Sequence, residues 1–191
     1  MATSKKDATA EHDPSAGILY PLAIAVAVLG LLFGFAYLPK LFKPRETALV
    51  GKAAPDFSLG IVANGLDKTK TEMSLAELKG KPVILDFWAT WCGPCKAQSP
   101  ILDSLAQRYA DRGLVVVGVD TNDAEGAASS WVRAHHIGYP IVFDKTQSAS
   151  ALYGVENLPT LVVVSRDGKV VAMRVGLTDA SELESILKQV L

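Results

Sequence analysis

Both cysteines of this chain stand in Trp91-Cys92-Gly93-Pro94-Cys95, at a junction between a strand pattern and a helix pattern. Residues 82–89 carry Val83, Ile84, Leu85 and Phe87 as a buried strand would, and Ile101, Leu102, Leu105 and Tyr109 continue as a helix after Cys95. This junction restricts the fold more than any other feature, because a strand must feed directly into a helix whose N-terminus holds two thiols. The unpaired N–H groups and aligned dipoles of a helix N-terminus favour negative charge, so a thiolate gains there. Pro94 suits the first turn, where its missing N–H has no intrahelical partner in any case. Cys92 then lies at the helix mouth, and Cys95 faces the same side one turn deeper. Such a pair can close a disulfide and reopen it.

Two simpler roles for the pair are weaker. Structural zinc wants four ligands, and the other candidates are His12, remote in sequence, and the adjacent His135 and His136, which lack the usual spacing. A structural bridge closing so small a loop restricts the unfolded chain very little. No cofactor is called for, because the thiols themselves carry the electrons.

The chain has 191 residues, 49 % hydrophobic and 20 % charged, with a net charge of −1, which offers nothing to nucleic acid or to a strongly acidic partner. Residues 1–16 are polar and lack apolar periodicity, as in a disordered tail. Residues 17–38 carry no charge over 22 positions. As a helix this stretch measures about 33 Å, enough for a hydrocarbon core of about 30 Å. It is longer than a signal-peptide core and no A-x-A-like site follows, so an uncleaved signal-anchor in the lipid bilayer is expected. Gly30 and Gly34 have the GxxxG spacing of paired helices, which short apolar stretches also contain by chance. Lys40, Lys43 and Arg45 outnumber Lys5 and Lys6, and that count alone would place the C-terminal side in the cytoplasm. Large domains translocate regardless of flanking charge, so the count does not decide. Residues 39–50 form a basic tether, and residues 51–191 are long enough for one domain with its own core.

Within that domain, residues 57–61 form a strand, Asn64-Gly65 a turn, and Ser74-Leu75-Ala76-Glu77 a capping box opening a brief helix that Gly80 ends. Pro100 should kink the helix that follows Cys95. The continuous apolar run at residues 114–119 marks a strand covered on both faces. A helix at 124–135, a strand at 141–143 and a helix at 148–153 follow. Strands at 161–164 and 170–175 are joined by an Asp167-Gly168 hairpin turn, and a helix at 181–190 is capped by Thr178 or Asp179. The alternation gives an α/β fold, a mixed sheet with helices on both faces.

The flanking residues narrow this further. Residues 86–96, Asp-Phe-Trp-Ala-Thr-Trp-Cys-Gly-Pro-Cys-Lys, resemble the active-site segment of thioredoxin-fold oxidoreductases, and Leu158-Pro159-Thr160 resembles their cis-proline loop. The Ala-Pro-Asp-Phe-Ser-Leu opening, the Leu-Lys-Gly-Lys before the central strand, the additional helix and strand ahead of Pro159 and the single anchor together resemble the membrane-tethered TlpA-like group. That group includes the ResA-like reductases of cytochrome c maturation. The likeness spans residues 50–191. It implies a thioredoxin-like fold with a central insertion, held at the inner (cytoplasmic) membrane by a single span and facing the periplasm or cell exterior, that exchanges disulfides with protein substrates. A membrane thiol-transfer electron donor would then recharge the pair. The family often has Asn at the position of Asp86, and ResA-like members carry Glu where this chain has Gln98; both departures move the site toward ordinary thioredoxin.

On this basis Cys92 is the expected nucleophile and Cys95 the resolving thiol. Asp86, at the place of thioredoxin's buried carboxylate, is the expected base for Cys95, since its apolar neighbours argue for burial. Pro159, if cis, presents the Leu158 backbone to a bound peptide. Trp91, Gly93, Pro94, Leu158 and Thr160 complete the expected docking face, with Trp88 in the core. Gly-Pro between the cysteines is the thioredoxin dipeptide, at the reducing end of the scale, which favours a reductase. Two alternatives are a peroxiredoxin-like peroxidase, which would want Thr where Ala89 stands, and a thiol-based copper binder, which no Met-rich or His-rich tract accompanies.

Overall fold

A computed structural model of the protein describes residues 16–41 and 48–191. In chain order its elements are α1 (Ala16–Leu41), β1 (Ser58–Ala63), β2 (Glu72–Ser74), β3 (Val83–Trp88), α2 (Gly93–Arg108), β4 (Val115–Thr121), α3 (Ala127–His135), β5 (Ile141–Asp144), α4 (Ser148–Tyr153), β6 (Thr160–Val164), β7 (Val170–Val175) and α5 (Ala180–Leu187). A 3-10 turn, Leu75–Leu78, follows β2. The chain divides into two compact units, residues 1–43 and 44–191.

The first unit contains α1, a 26-residue helix. Ile24, Val26, Leu29, Leu31 and Phe35 are exposed on it. Among the described residues no helix is long and apolar enough to cross a membrane. Most of the expected tail and the middle of the expected tether lie outside the described residues.

The second unit is built on a seven-stranded sheet in the order β2-β1-β5-β4-β3-β6-β7. β3 and β4 run parallel, as do β4 and β5; on one side β6 pairs antiparallel with β3 and β7 antiparallel with β6, and on the other β1 pairs antiparallel with β5 and β2 antiparallel with β1. β3 is buried along its whole length because it lies between β4 and β6 with both faces covered. Side chains alternate across a strand. Val83, Leu85 and Phe87 accordingly enter one core with Tyr153 of α4 and Leu75 and Leu78 of the 3-10 turn. Ile84 and Trp88 enter the other, with Leu102 and Leu105 of α2, Val132 of α3, and Leu183 and Leu187 of α5.

Local chemistry corrects three expected details. Ser74 makes no side-chain cap, and the amide of Ala76 is instead taken by Asp56 Oδ1 at 2.9 Å, from a segment distant in sequence. α3 starts at Ala127, three residues later than expected, because Gly126 before it is left-handed (φ 82°). β2 was not foreseen, being three residues paired only to β1. α2 continues through Pro100 to Arg108, and Asp179 caps α5 by accepting the Glu182 amide at 2.9 Å.

Candidate active site

The site lies where the parallel strands β3 and β4 end, since in such sheets the loops beyond the carboxyl ends of the strands are left free to carry chemistry. β3 delivers the chain through Ala89, Thr90 and Trp91 to Cys92, which caps α2 in extended conformation (φ −83°, ψ 108°). Pro94 occupies the first turn, where it costs no hydrogen bond. Cys92 and Cys95 are joined as a disulfide. The Cys95 amide points at Cys92 Sγ, 3.2 Å away. In the reduced protein that donor and the helix dipole would favour a Cys92 thiolate.

Exposure separates the two sulfurs. Cys92 is 5 % exposed and Cys95 not at all, so Cys92 is less open than its place at a helix mouth suggests, yet it is the one a partner can reach. Gly93, Pro94 and Trp91 are exposed beside it. Among the described residues, nothing beyond the adjoining residues and the local helix backbone lies within 4 Å of where a Cβ on Gly93 would stand. Trp88 is wholly buried, as expected.

Asp86 has no exposed surface, and among the described residues neither carboxylate oxygen has a hydrogen-bond partner of ordinary geometry. By alternation along β3 it faces the same side as Ile84 and Trp88, the core that contains Cys92 and Cys95. Desolvation pushes its pKa up to about 7, opposed in part by the nearby Tyr139 hydroxyl. A carboxyl that binds its proton near neutrality is suited to taking one from a thiol and returning it. Its register partners are Gly118 on β4 and Leu161 on β6. Gly118 is required there, since a Cβ would stand 2.5 Å from Ile141 Cδ1, 3.0 Å from Trp88 Nε1 and 3.2 Å from the Tyr139 ring.

The Leu158–Pro159 peptide bond is cis. The Pro159 carbonyl is taken by the Gly176 amide at 2.8 Å, and Leu158 packs against both cores, the one holding the cysteines included. Trp91, Asn122, Asn157 and Leu158 line one cavity of about 300 Å³. The structure therefore sets Cys92, Cys95 and Leu158 at one core, lines one cavity with Trp91 and Leu158, and turns Asp86 to the same side of the sheet as the cysteines. Thr160 departs from expectation: it is 1 % exposed and its hydroxyl donates to the Asn157 carbonyl at 2.7 Å. It shapes the cis-proline loop from within and presents no side chain to a partner.

Residues absent from the sequence reading also meet here. Asp123 accepts the Thr90 amide, Asn122 accepts the Trp91 indole, and Asp120 is buried behind them. The available signal was position: Asp120 is the last residue but one of a buried parallel strand, at the edge where such sheets hold their ligands.

The AhpC/TSA family profile matches residues 50–173. The chain belongs to the AhpC/TSA family. Within it the chain is ResA/TlpA-like. It is 34 % identical over 167 residues to the thiol-disulfide oxidoreductase ResA of Bacillus anthracis, covering 87 % of this chain and 93 % of that one. The ResA of Bacillus subtilis is 28 % identical over 160 residues, covering 84 % and 86 %. A solved protein of Chlorobium tepidum, assigned as a thiol:disulfide interchange protein DsbE, superposes with a TM-score of 0.67 at 32 % identity, covering 74 % of this chain and 96 % of that one. The fold is thioredoxin-like, and the activity is that of a protein-disulfide oxidoreductase.

Proposed function

We propose that this ResA/TlpA-like protein is a membrane-tethered disulfide reductase working on the periplasmic side of the inner membrane, through Cys92 and Cys95, on disulfide-containing proteins. The observation that carries the reading is the division of the pair into a reachable Cys92 at a helix N-terminus and a buried Cys95 on the same side of the sheet as Asp86.

In the reaction, the Cys92 thiolate attacks one sulfur of a substrate disulfide; that bond breaks, and the other substrate sulfur leaves as a thiolate and takes up a proton. Asp86 removes the Cys95 proton, Cys95 attacks Cys92 in the mixed disulfide, and the second substrate thiol is released. Two electrons pass to the substrate and the protein is left as the disulfide. A membrane thiol-transfer donor returns it to the dithiol. The uncharged stretch at residues 17–38 supports the tether, and the likeness to ResA-like reductases supports a part in cytochrome c maturation.

Replacing Cys95 with Ala in cells tests the reading. Mixed disulfides between Cys92 and partner proteins should accumulate, and their identification names the pathway. A reactive Cys92 that traps nothing would refute the exchange scheme. An impermeant thiol reagent on intact cells tests the location, since protection of Cys92 would place the domain in the cytoplasm.

A further inference from the structure

The turn from Ala89 to Cys92 lies outside the sheet ladder, between the end of β3 and the start of α2. Two hydrogen bonds tie it to the segment just past β4: the Thr90 amide donates to Asp123 Oδ2 at 2.6 Å, and the Trp91 indole donates to the Asn122 carbonyl at 2.8 Å. Asn122 takes a left-handed conformation (φ 53°), which asparagine tolerates better than most residues. The second oxygen of Asp123 accepts the Ala124 amide at 2.8 Å. Both carboxylate oxygens of Asp123 are thus held by backbone donors, one of them on the turn that leads to the nucleophile.

Behind Asp123 stands Asp120. It is 1 % exposed, it is the register partner of Trp88 across β3 and β4, and its Oδ1 has no hydrogen-bond partner. Two carboxyls in contact do not both ionise without repulsion, so one keeps a proton and donates it to the other. Burial, with Asp123 beside it, pushes Asp120 up to about 8 and makes it the proton holder. Desolvation works against ionisation of Asp123 too, but hydrogen bonds from Thr90, Ala124 and Asp120 outweigh it and hold Asp123 below the usual carboxylate range.

We propose that Asp123 is a positioning residue for Cys92, itself set in place by Asp120. The proposal rests on the reading of Cys92 as the attacking thiol. Asp123 fixes the height at which the Thr90-Trp91 turn enters α2, and so keeps Cys92 Sγ against the Cys95 amide, where a thiolate is stabilised. Asp120 and Asp123 touch neither sulfur and act through that turn.

The test uses the reduced full-length chain and the pH dependence of iodoacetamide alkylation. Asp123→Ala and Asp123→Asn both remove the charge, but only Asn leaves an oxygen for the Thr90 amide. A difference between them therefore reports the contacts of this side chain and not its charge. The midpoint for Cys92 in D123A should lie above that in D123N by about one pH unit, a roughly ten-fold loss of thiolate below both midpoints. Asp120→Asn, which still donates to Asp123, should recover most of what Asp120→Ala loses. Coincident midpoints for D123A and D123N, with rapid alkylation abolished by Cys92→Ala, would overturn the positioning role and leave the nucleophile assignment standing. Rapid alkylation that survives Cys92→Ala and vanishes in Cys95→Ala would overturn the nucleophile assignment, and this proposal with it.

Discussion

Gln98 pairs both ends of its side-chain amide with the backbone of one residue: Oε1 accepts the Thr178 N–H at 2.8 Å and Nε2 donates to the Thr178 carbonyl at 3.1 Å. The side chain is wholly buried, and this double contact ties α2 to the turn that starts α5. Gln98→Glu keeps an acceptor and loses the donor, leaving the Thr178 carbonyl unpaired beside a buried charge. The cost should be about 1–3 kcal/mol or more at neutral pH. Burial raises the pKa of the new carboxyl, so the penalty is absent below its unfolded pKa and complete above its folded one. Urea unfolding of the variant at acid and neutral pH checks both the size and the direction.

Asp86 predicts a slope in stability. Its folded pKa of about 7 lies above the ordinary carboxylate value of 3.8. Between those values the folded state holds a proton that the unfolded state has released, so stability falls as pH rises through that window. The loss is on the order of a few kcal/mol by pH 8, given about 1.4 kcal/mol per pH unit. Asp86→Asn should remove this part of the slope and be the more stable protein at pH 8. In kinetics the same variant should slow resolution by Cys95 about a hundred-fold while sparing attack by Cys92. Equal slowing of both steps would exclude Asp86 as the base.

Gly118→Ala should lower stability by about 1–3 kcal/mol, the usual cost of forcing an extra carbon into a filled core. The atom nearest the new methyl, Ile141 Cδ1 at 2.5 Å, must move, and Trp88 and Tyr139 close the other sides. Thermal unfolding measures the loss.

Asp56 and Ser74 offer a direct comparison. Asp56 accepts the Ala76 amide and Ser74 makes no cap bond. Asp56→Ala should cost about 1 kcal/mol, the usual worth of a capping side chain. Ser74→Ala should cost much less. The reverse order in urea unfolding would restore the capping box that the local spacing suggests.

What could be read in advance follows from how local each signal is. Cys92, Cys95 and Asp86 sit on a fully buried strand and the helix it feeds, where hydrophobic period and helix-start chemistry act within a few residues. Pro159 was legible because its neighbours place it immediately before a strand. The Asp56 cap was not, since its amide partner is 20 residues away, and β2 was not, since three residues become a strand only when β1 supplies the ladder. Asp120 and Asp123 were hidden for another reason. Asp-Thr-Asn-Asp has the composition of a polar loop, and only the parallel pairing of β3 with β4 sets Asp120 across from Trp88. Adjacency to Pro159 in sequence says nothing about which way the Thr160 side chain faces, and it is turned inward.

The two sulfurs belong to the same buried cluster as Trp88, Leu102, Leu105 and Leu183. Reduction therefore adds two hydrogens inside packed protein, and the folded chain exists in two redox forms whose interiors differ. A thermodynamic cycle links those forms. Any substitution in that cluster that favours one over the other, however far from a substrate, must shift the electron affinity of the pair, by about 30 mV for each 1.4 kcal/mol of preference. The interior that holds the fold together is thus also a tuning element for the reducing strength of the protein.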